Sequence, residues 1–219
     1  MDAGRPKQYL ELAGRPLLDH GLDALRAVDP VAIAVVVAPG DPFVDGCALA
    51  PPVEVVRRGG AERAESVLAG LDHLAPRAEP GDPVLVHDAA RPCLTAALVR
   101  RLLAAAAVHP DGGLLALPVS ETVKRAAGDA PARVEASCDR SRLWLAQTPQ
   151  LFPFGRLRDA LRAALQGGML VTDEASAMEA AGARPLLVEG SARNLKVTRP
   201  EDLALAGHWL AEATTEGVA

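Results

Sequence analysis

The sequence predicts an α/β domain built on a mostly parallel sheet with helices on both faces. Three observations carry that expectation. Apolar runs of strand length alternate along the chain with stretches at helical spacing, and the connections between them are short. The strand candidates are continuous Val, Leu and Ile runs, the pattern of strands buried on both sides. The 219 residues suffice for one sizeable core, so residues 1–219 are read as a single domain.

Met1 to Lys7 (MDAGRPK) opens with a turn and a basic residue, with no strand before it. Arg15-Pro16 leads into Leu18, Leu22, Leu25 and Val28, an amphipathic helix with Pro near its first turn. Val31 to Ala38 (VAIAVVVA), stopped by Pro39-Gly40, is a buried strand, and Val53 to Val56 is a second. Arg57 to Ser66 (RRGGAERAES) then runs into Val67, Leu68, Leu71 and Leu74 at helical spacing. Glycines ahead of a helix N-terminus, with Arg63 and Ser66 in its first turns, suit an anion or a nucleotide, because bare N–H groups and the helix dipole face it. A plain turn before a helix gives the same signal.

Val84 to Pro92 (VLVHDAARP) organises the rest. The strand Val84 to Val86 ends by delivering Asp88 and Arg91, and in open α/β sheets ligands bind just beyond the carboxyl ends of strands. An Asp–Arg pair tying down a loop is the alternative. Leu98, Leu102 and Leu103 with an Ala run make a helix, and Leu114 to Val119 a strand. Residues 120–145 break the rhythm: Thr122 to Lys124 and Arg133 to Glu135 flank Gly128-Asp129-Ala130-Pro131, which reads as a two-stranded arm turning at GDAP. A lone hairpin is marginal in water, so the arm is expected to pack on another subunit.

Leu145 to Phe152 (LAQTPQLF) reads as a polar turn, followed by a helix carrying Leu157, Leu161 and Leu165. Thr172-Asp173-Glu174 reads as a helix start, a Thr cap with two acids in the first turn. Leu186 to Val188 is a short strand. Asn194 to Asp202 (NLKVTRPED) places Lys196 at a strand end and Thr198 to Glu201 in a capping box, with Pro200 in the first turn of a helix. Residues 213–219 are expected to fray.

Composition narrows the function classes. No apolar run approaches the roughly 18 residues of a membrane span and no leader pattern opens the chain, so a cytoplasmic location without membrane contact is expected. Cys47, Cys93 and Cys138 are odd in number and far apart, and are read as reduced and structural. The five histidines show no ligand spacing. A net charge of −5 argues against a nucleic-acid footprint, but an anion could bind through a local basic pocket. Such a pocket has candidates: Lys7, Gly60, Arg63, Ser66, Asp88, Arg91, Arg140 and Lys196, of which five are cations. Cations focused in one cleft point to a polyanionic small molecule, and phosphoryl or nucleotidyl transfer needs them most. There is neither a Walker-type loop nor a G-x-S-x-G elbow, so an enzyme here would clamp charge rather than use a covalent nucleophile.

On PKQYLELAGRPLL at Pro6, GGAERAESVLAGL at Gly59, VLVHDAARP at Val84, PVSETVKR at Pro118, LWLAQTPQLF at Leu143, TDEASAMEAAG at Thr172 and NLKVTRPEDLALA at Asn194, the chain resembles the 2-C-methyl-D-erythritol 4-phosphate cytidylyltransferases. These belong to the non-mevalonate isoprenoid pathway; TDEAS and HDAARP favour them over the related ribitol 5-phosphate cytidylyltransferases. The resemblance implies a three-layer, Rossmann-like nucleotidyltransferase fold and a homodimer locked through the 120–145 arms. It implies transfer of CMP from CTP to methylerythritol phosphate, with pyrophosphate leaving and a divalent ion, usually Mg2+, bound with the triphosphate; which residues hold the ion it leaves open.

On the matching positions, Gly60, Arg63 and Ser66 would hold the cytidine end, and Asp88 and Ala89 would lie where the two substrates meet, beside Arg91. Thr122 and Arg140 would bind methylerythritol phosphate across the dimer, Lys196 would orient its phosphate, and Lys7 would stabilise charge on the α-phosphate. The family opens on a strand and a Gly-rich loop of the form AAGxGxRM, and this sequence starts at about its Met. The expectation is a natural chain carrying the loop upstream; a shorter chain that binds CTP poorly, a non-catalytic nucleotide-binding relic, is the competing reading.

Overall fold

Neighbouring residues of each central strand feed opposite cores, and that alternation builds three layers. The computed structural model describes residues 4–47, 49–128 and 130–215, the side chains of 213–215 excepted. Its elements run in the order β1 (Glu11–Leu12), β2 (Arg15–Pro16), α1 (Leu17–Arg26), β3 (Ile33–Val36), β4 (Val53–Val56), α2 (Arg63–Leu74), β5 (Pro83–Val86), α3 (Ala96–Ala106) and β6 (Gly113–Pro118). There follow β7 (Lys124–Ala126), β8 (Val134–Ser137), β9 (Trp144–Pro153), α4 (Phe154–Gln166), α5 (Glu174–Ala180), β10 (Leu186–Glu189) and α6 (Pro200–Thr215).

The main sheet has the strand order β10-β6-β9-β5. β10 pairs parallel to β6, whereas β9 runs antiparallel to both β6 and β5, so β5, β6 and β10 point one way and β9 alone runs against them. β3 and β4 form a separate parallel pair. On one face of the main sheet Val84, Val86, Leu114 and Phe152 pack against α2, α4 and α5 through Leu71, Leu157, Leu161 and Met178. On the other face Leu85, Leu115, Leu151 and Val188 meet α1 and α3 through Ala24, Val99 and Leu102. Fully buried leucines such as Leu102, Leu115 and Leu157 each contribute about 1.5–3 kcal/mol relative to exposure. Gly112 enters β6 with φ of 65° against the Leu151 carbonyl, where any side chain would collide with it.

The predicted helices and strands are found within a few residues, with four corrections. LAQTPQLF is not a turn but the core of β9, a ten-residue strand in the middle of the sheet. Its polar residues Gln147, Thr148 and Gln150 are buried, which is why periodicity points the wrong way. Lys196 stands in a loop, not at a strand end; the loop is held by Val197 N–H donating to the Ala90 carbonyl at 2.8 Å. The cap of α5 is Asp173 rather than Thr172, its carboxylate accepting from Ser176 N–H at 2.9 Å. At α6 the acid that closes the cap is Asp202 rather than Glu201, accepting from the N–H groups of Thr198 and Arg199.

A short hairpin, β1 with β2, has no strong signal in the sequence, because its turn places Ala13 as well as Gly14 at positive φ. The arm forms as expected, β7 pairing antiparallel with β8. Asp129 of the GDAP turn, Met1 to Ala3 of the opening and residues 216–219 of the expected frayed end lie outside the described residues. Cys47, Cys93 and Cys138 are all free thiols. No helix among the described residues is long and apolar enough to cross a membrane.

Candidate active site

The pocket forms where β5 ends, because the polar residues after Val86 leave the ladder and find their partners on β9, α2 and the loop before α6. β9 prepares the way with an irregularity: Leu114 pairs with Gln150 but Ala116 with Ala146, so two steps on β6 face four on β9. The extra length holds Gln147, Thr148 and Pro149, a proline that has no N–H to give to a ladder. Thr148 Oγ1 accepts from the Asp88 N–H at 3.0 Å and lies 3.0 Å from His87 Nδ1. The Arg91 carbonyl lies 3.3 Å from His87 Nε2 and can only accept, so that nitrogen carries the proton and Nδ1 accepts from Thr148. Burial lowers the His87 pKa to about 4, which keeps the ring neutral near pH 7.

Asp88 is the hub of an ion network. Its Oδ1 accepts from Arg63 Nε at 2.8 Å and its Oδ2 from Lys196 Nζ at 2.8 Å, with Arg91 Nε 3.9 Å from Oδ2. Burial opposes its ionisation, yet Arg63 and Lys196 outweigh burial and hold its pKa down at about 2. Arg63 also donates from Nη1 and Nη2 to Glu174 Oε1 and Oε2, at 2.6 and 3.0 Å. Burial works against the Arg63 charge, but the two carboxylates prevail and hold it above the ordinary arginine value. Glu174 is fully buried, and desolvation pushes its carboxyl above the usual carboxylate range while Arg63 pulls it back. Arg91 donates to the Asn194 carbonyl at 2.7 Å, which ties the loop carrying Lys196 to the end of β5.

These groups surround a cavity of about 290 Å3 whose lining includes Arg63, Asp88, Arg91, Lys196, Thr148 and Thr172. Four of the predicted site residues are thus brought together. Gly60, in the loop before α2, and Ser66, in the first turn of that helix, are joined by Ser66 Oγ accepting from Gly60 N–H at 3.1 Å, and neither lines the cavity. Ala89 packs toward the cluster of Tyr9, Leu18 and Leu22 and does not line the cavity. Lys7, in the 3-10 turn Lys7–Tyr9, also stands outside its lining. Thr122 and Arg140 lie exposed on the arm and its return and are not among the residues lining the pocket of their own chain. Sequence reasoning missed Glu174, whose position in a first helical turn reads as capping, and Gln147, Thr148 and Gln150, hidden in the supposed turn.

The donor set sets terms for a divalent ion. Among the described residues no group of three or more His, Cys, Asp or Glu could hold a metal. Asp173 is engaged by Gln150 and Ser176, and Asp88 by Arg63 and Lys196. This fits an ion that arrives with a triphosphate, kept mainly by phosphate oxygens and water with at most one carboxylate, as is usual for magnesium.

The pocket is thus a cation-rich site at a strand end, with Arg63, Arg91 and Lys196 in its lining, the kind of surface that suits an anion. The model of the 2-C-methyl-D-erythritol 4-phosphate cytidylyltransferase family matches residues 1–212. A protein of that name from Ectopseudomonas mendocina (strain ymp) is 52% identical, with 99% of this chain and 91% of the relative covered. One from Haemophilus influenzae (strain PittGG) is 50% identical, over 96% of this chain and 90% of the relative. A crystal structure of 4-diphosphocytidyl-2C-methyl-D-erythritol synthase superposes with a TM-score of 0.84 at 43% identity, covering 93% of this chain and 94% of that one. The Thermus thermophilus enzyme gives 0.80 at 35% identity, over 94% of each chain. With the family model matching residues 1–212, relatives at about 50% identity along nearly all of the chain and the fold superposing on solved members, the chain belongs to the 2-C-methyl-D-erythritol 4-phosphate cytidylyltransferase family.

Proposed function

We propose that this chain is a cytidylyltransferase that moves CMP from CTP to 2-C-methyl-D-erythritol 4-phosphate, giving 4-diphosphocytidyl-2-C-methyl-D-erythritol and pyrophosphate in isoprenoid precursor synthesis. The observation that carries this reading is the pocket after β5, where three cations, Arg63, Arg91 and Lys196, gather around Asp88 in a protein of net charge −5. A phosphate oxygen of the acceptor attacks the α-phosphorus of CTP in line, and pyrophosphate leaves. Both reactants are anions, so their repulsion must be offset before they can meet, and charge builds on the α-phosphate as they react.

Lys196 orients the acceptor phosphate by passing from Asp88 Oδ2 to a phosphate oxygen. Arg91 is held ready by the Asn194 carbonyl, its Nε without a hydrogen-bond partner among the described residues. Gly60 and Ser66, with Arg63 at the start of α2, hold the cytidine end, Asp88 and Ala89 lie where the substrates meet, and Lys7 stabilises the α-phosphate. A divalent ion, Mg2+ in this proposal, would supply charge neutralisation on the triphosphate when bound with CTP, and Asp88, which lines the pocket, would help to hold it.

Thr122 and Arg140 reach acceptor in the pocket of a partner, so the protein works as a cytoplasmic homodimer joined through the arms. The exposed Val134, Leu143 and Leu145 on and beside the arm favour such a contact. Pyrophosphate release with CTP, magnesium and methylerythritol phosphate tests the reading. Turnover with this acceptor and little with ribitol 5-phosphate is expected; absence of turnover with either by a folded protein overturns it.

A further inference from the structure

We propose that Glu174 is a positioning residue for this transfer: its buried carboxylate fixes the Arg63 guanidinium, and through it keeps one oxygen of Asp88 available to Lys196. The inference rests on the cytidylyl-transfer reading and deepens it. A fully buried carboxylate is an expensive group to retain unless it is paired, and a buried ion pair adds little stability over apolar residues of similar size. Helix capping does not account for it either, since Asp173 caps α5. What Glu174 does is geometric. A guanidinium is a rigid planar fork, and both of its terminal nitrogens go to Glu174, which leaves Nε as the donor that reaches Asp88.

Without Glu174 the same fork can close on Asp88 with two bonds, taking the Oδ2 that Lys196 now holds at 2.8 Å. Glu174 thereby divides the acceptors, two oxygens for the end of Arg63 and one each for Arg63 Nε and Lys196. The division is referenced to β9 from two sides. Gln150 accepts from Ala175 N–H at 2.8 Å and donates to Asp173 at 2.9 Å, which fixes the start of α5. Two residues earlier on the same strand, Thr148 holds the Asp88 backbone. One strand thus sets both ends of the chain Glu174, Arg63, Asp88, Lys196.

The test uses the whole chain with Glu174→Gln, Arg63→Met, their double variant and Arg63→Lys. Glu174→Gln is expected to lower kcat roughly 10- to 100-fold, the scale of losses from small misplacements, with a smaller change in KM for CTP. The double variant is expected to turn over no more slowly than Arg63→Met alone, because Glu174 acts through Arg63. Independently of turnover, the NMR signal of the Arg63 Nε–Hε group should be protected from exchange in the parent protein and lose that protection in Glu174→Gln. A Glu174→Gln protein with parental kcat and an unchanged Arg63 signal overturns the proposal, as do losses that multiply in the double variant. Should Glu174→Gln fail to fold, Arg63→Lys decides, since lysine keeps the charge but cannot fork between two carboxylates: parental kcat there overturns the proposal and a drop supports it. If the parent chain does not turn over at all, the transfer reading fails, and the Arg63 signal still judges the geometry.

Discussion

At the scale of single residues, Lys196 and His87 show two ways in which one pocket uses charge. Lys196 is two-fifths exposed and bonded to Asp88, an arrangement that adds little to stability and leaves the ammonium free to exchange partners. Lys196→Ala should therefore reduce kcat by on the order of 10² to 10³, by analogy with lost oxyanion donors. Its unfolding free energy should move by less than about 1 kcal/mol; steady-state kinetics beside thermal unfolding separates the two effects. His87 works by being uncharged. Its folded pKa of about 4 lies below the ordinary 6.5, so the unfolded chain binds more protons between those values. Stability is whole above pH 6.5 and is lost as pH falls toward 4, by at most about 3 kcal/mol at 1.36 kcal/mol per unit. Asp88, depressed to about 2, contributes in a separate window, losing its share only as pH falls from 3.8 through 2. Denaturant unfolding of His87→Asn across pH 4–7 should lack the wild-type slope; a parallel slope would remove His87 from the account.

At the scale of elements, β9 and α5 mark where sequence reading succeeds and where it stops. The strand β5 and the helix α2 are legible because apolar spacing, with Asp88 after the strand and Gly59-Gly60 ahead of the helix, carries its own signal, and the placing of Asp88 at a strand end followed from that alone. β9 was illegible because its buried polar residues are satisfied by partners far along the chain: Gln147 by Ser191, Gln150 by Asp173 and Ala175, and Thr148 by His87 and Asp88. No periodicity rule anticipates a buried glutamine whose partners lie about two dozen residues away. The same tie makes a prediction. Gln150 is buried and both ends of its amide are bonded to the start of α5, so Gln150→Leu leaves an N–H and a carboxylate short of partners. The cost should be about 1–3 kcal/mol in denaturant unfolding. kcat should fall as well, because Glu174 rides on the displaced turn; a Gln150→Leu protein with parental stability would mean that α5 is placed by its packing on α4 alone.

At the scale of the whole molecule, the layers and the arm could be read from the sequence, but the place of the arm's functional residues could not. Thr122 and Arg140 look in sequence like any other candidates, and only the fold shows that they stand exposed on a projection while Asp88 and Lys196 stand in the pocket. If both sets serve one reaction, a second subunit must bring the arm to the pocket, and symmetry then makes a quantitative demand. Arg140→Ala and Lys196→Ala each disable a homodimer. In a mixed dimer, one pocket combines the intact Lys196 of the Arg140→Ala chain with the intact Arg140 of the other, and its second pocket lacks both. Equal mixing after subunit exchange should therefore restore about a quarter of the wild-type sites, since half the dimers are mixed and each carries one working pocket. Arg140 acting within its own chain would give every pocket one defect and no recovery. Pyrophosphate release from the two variants, assayed apart and after co-refolding, reads the difference directly. A recovered rate near a quarter assigns Arg140 to the neighbouring pocket, whereas a rate equal to the mean of the two inactive parents confines it to its own.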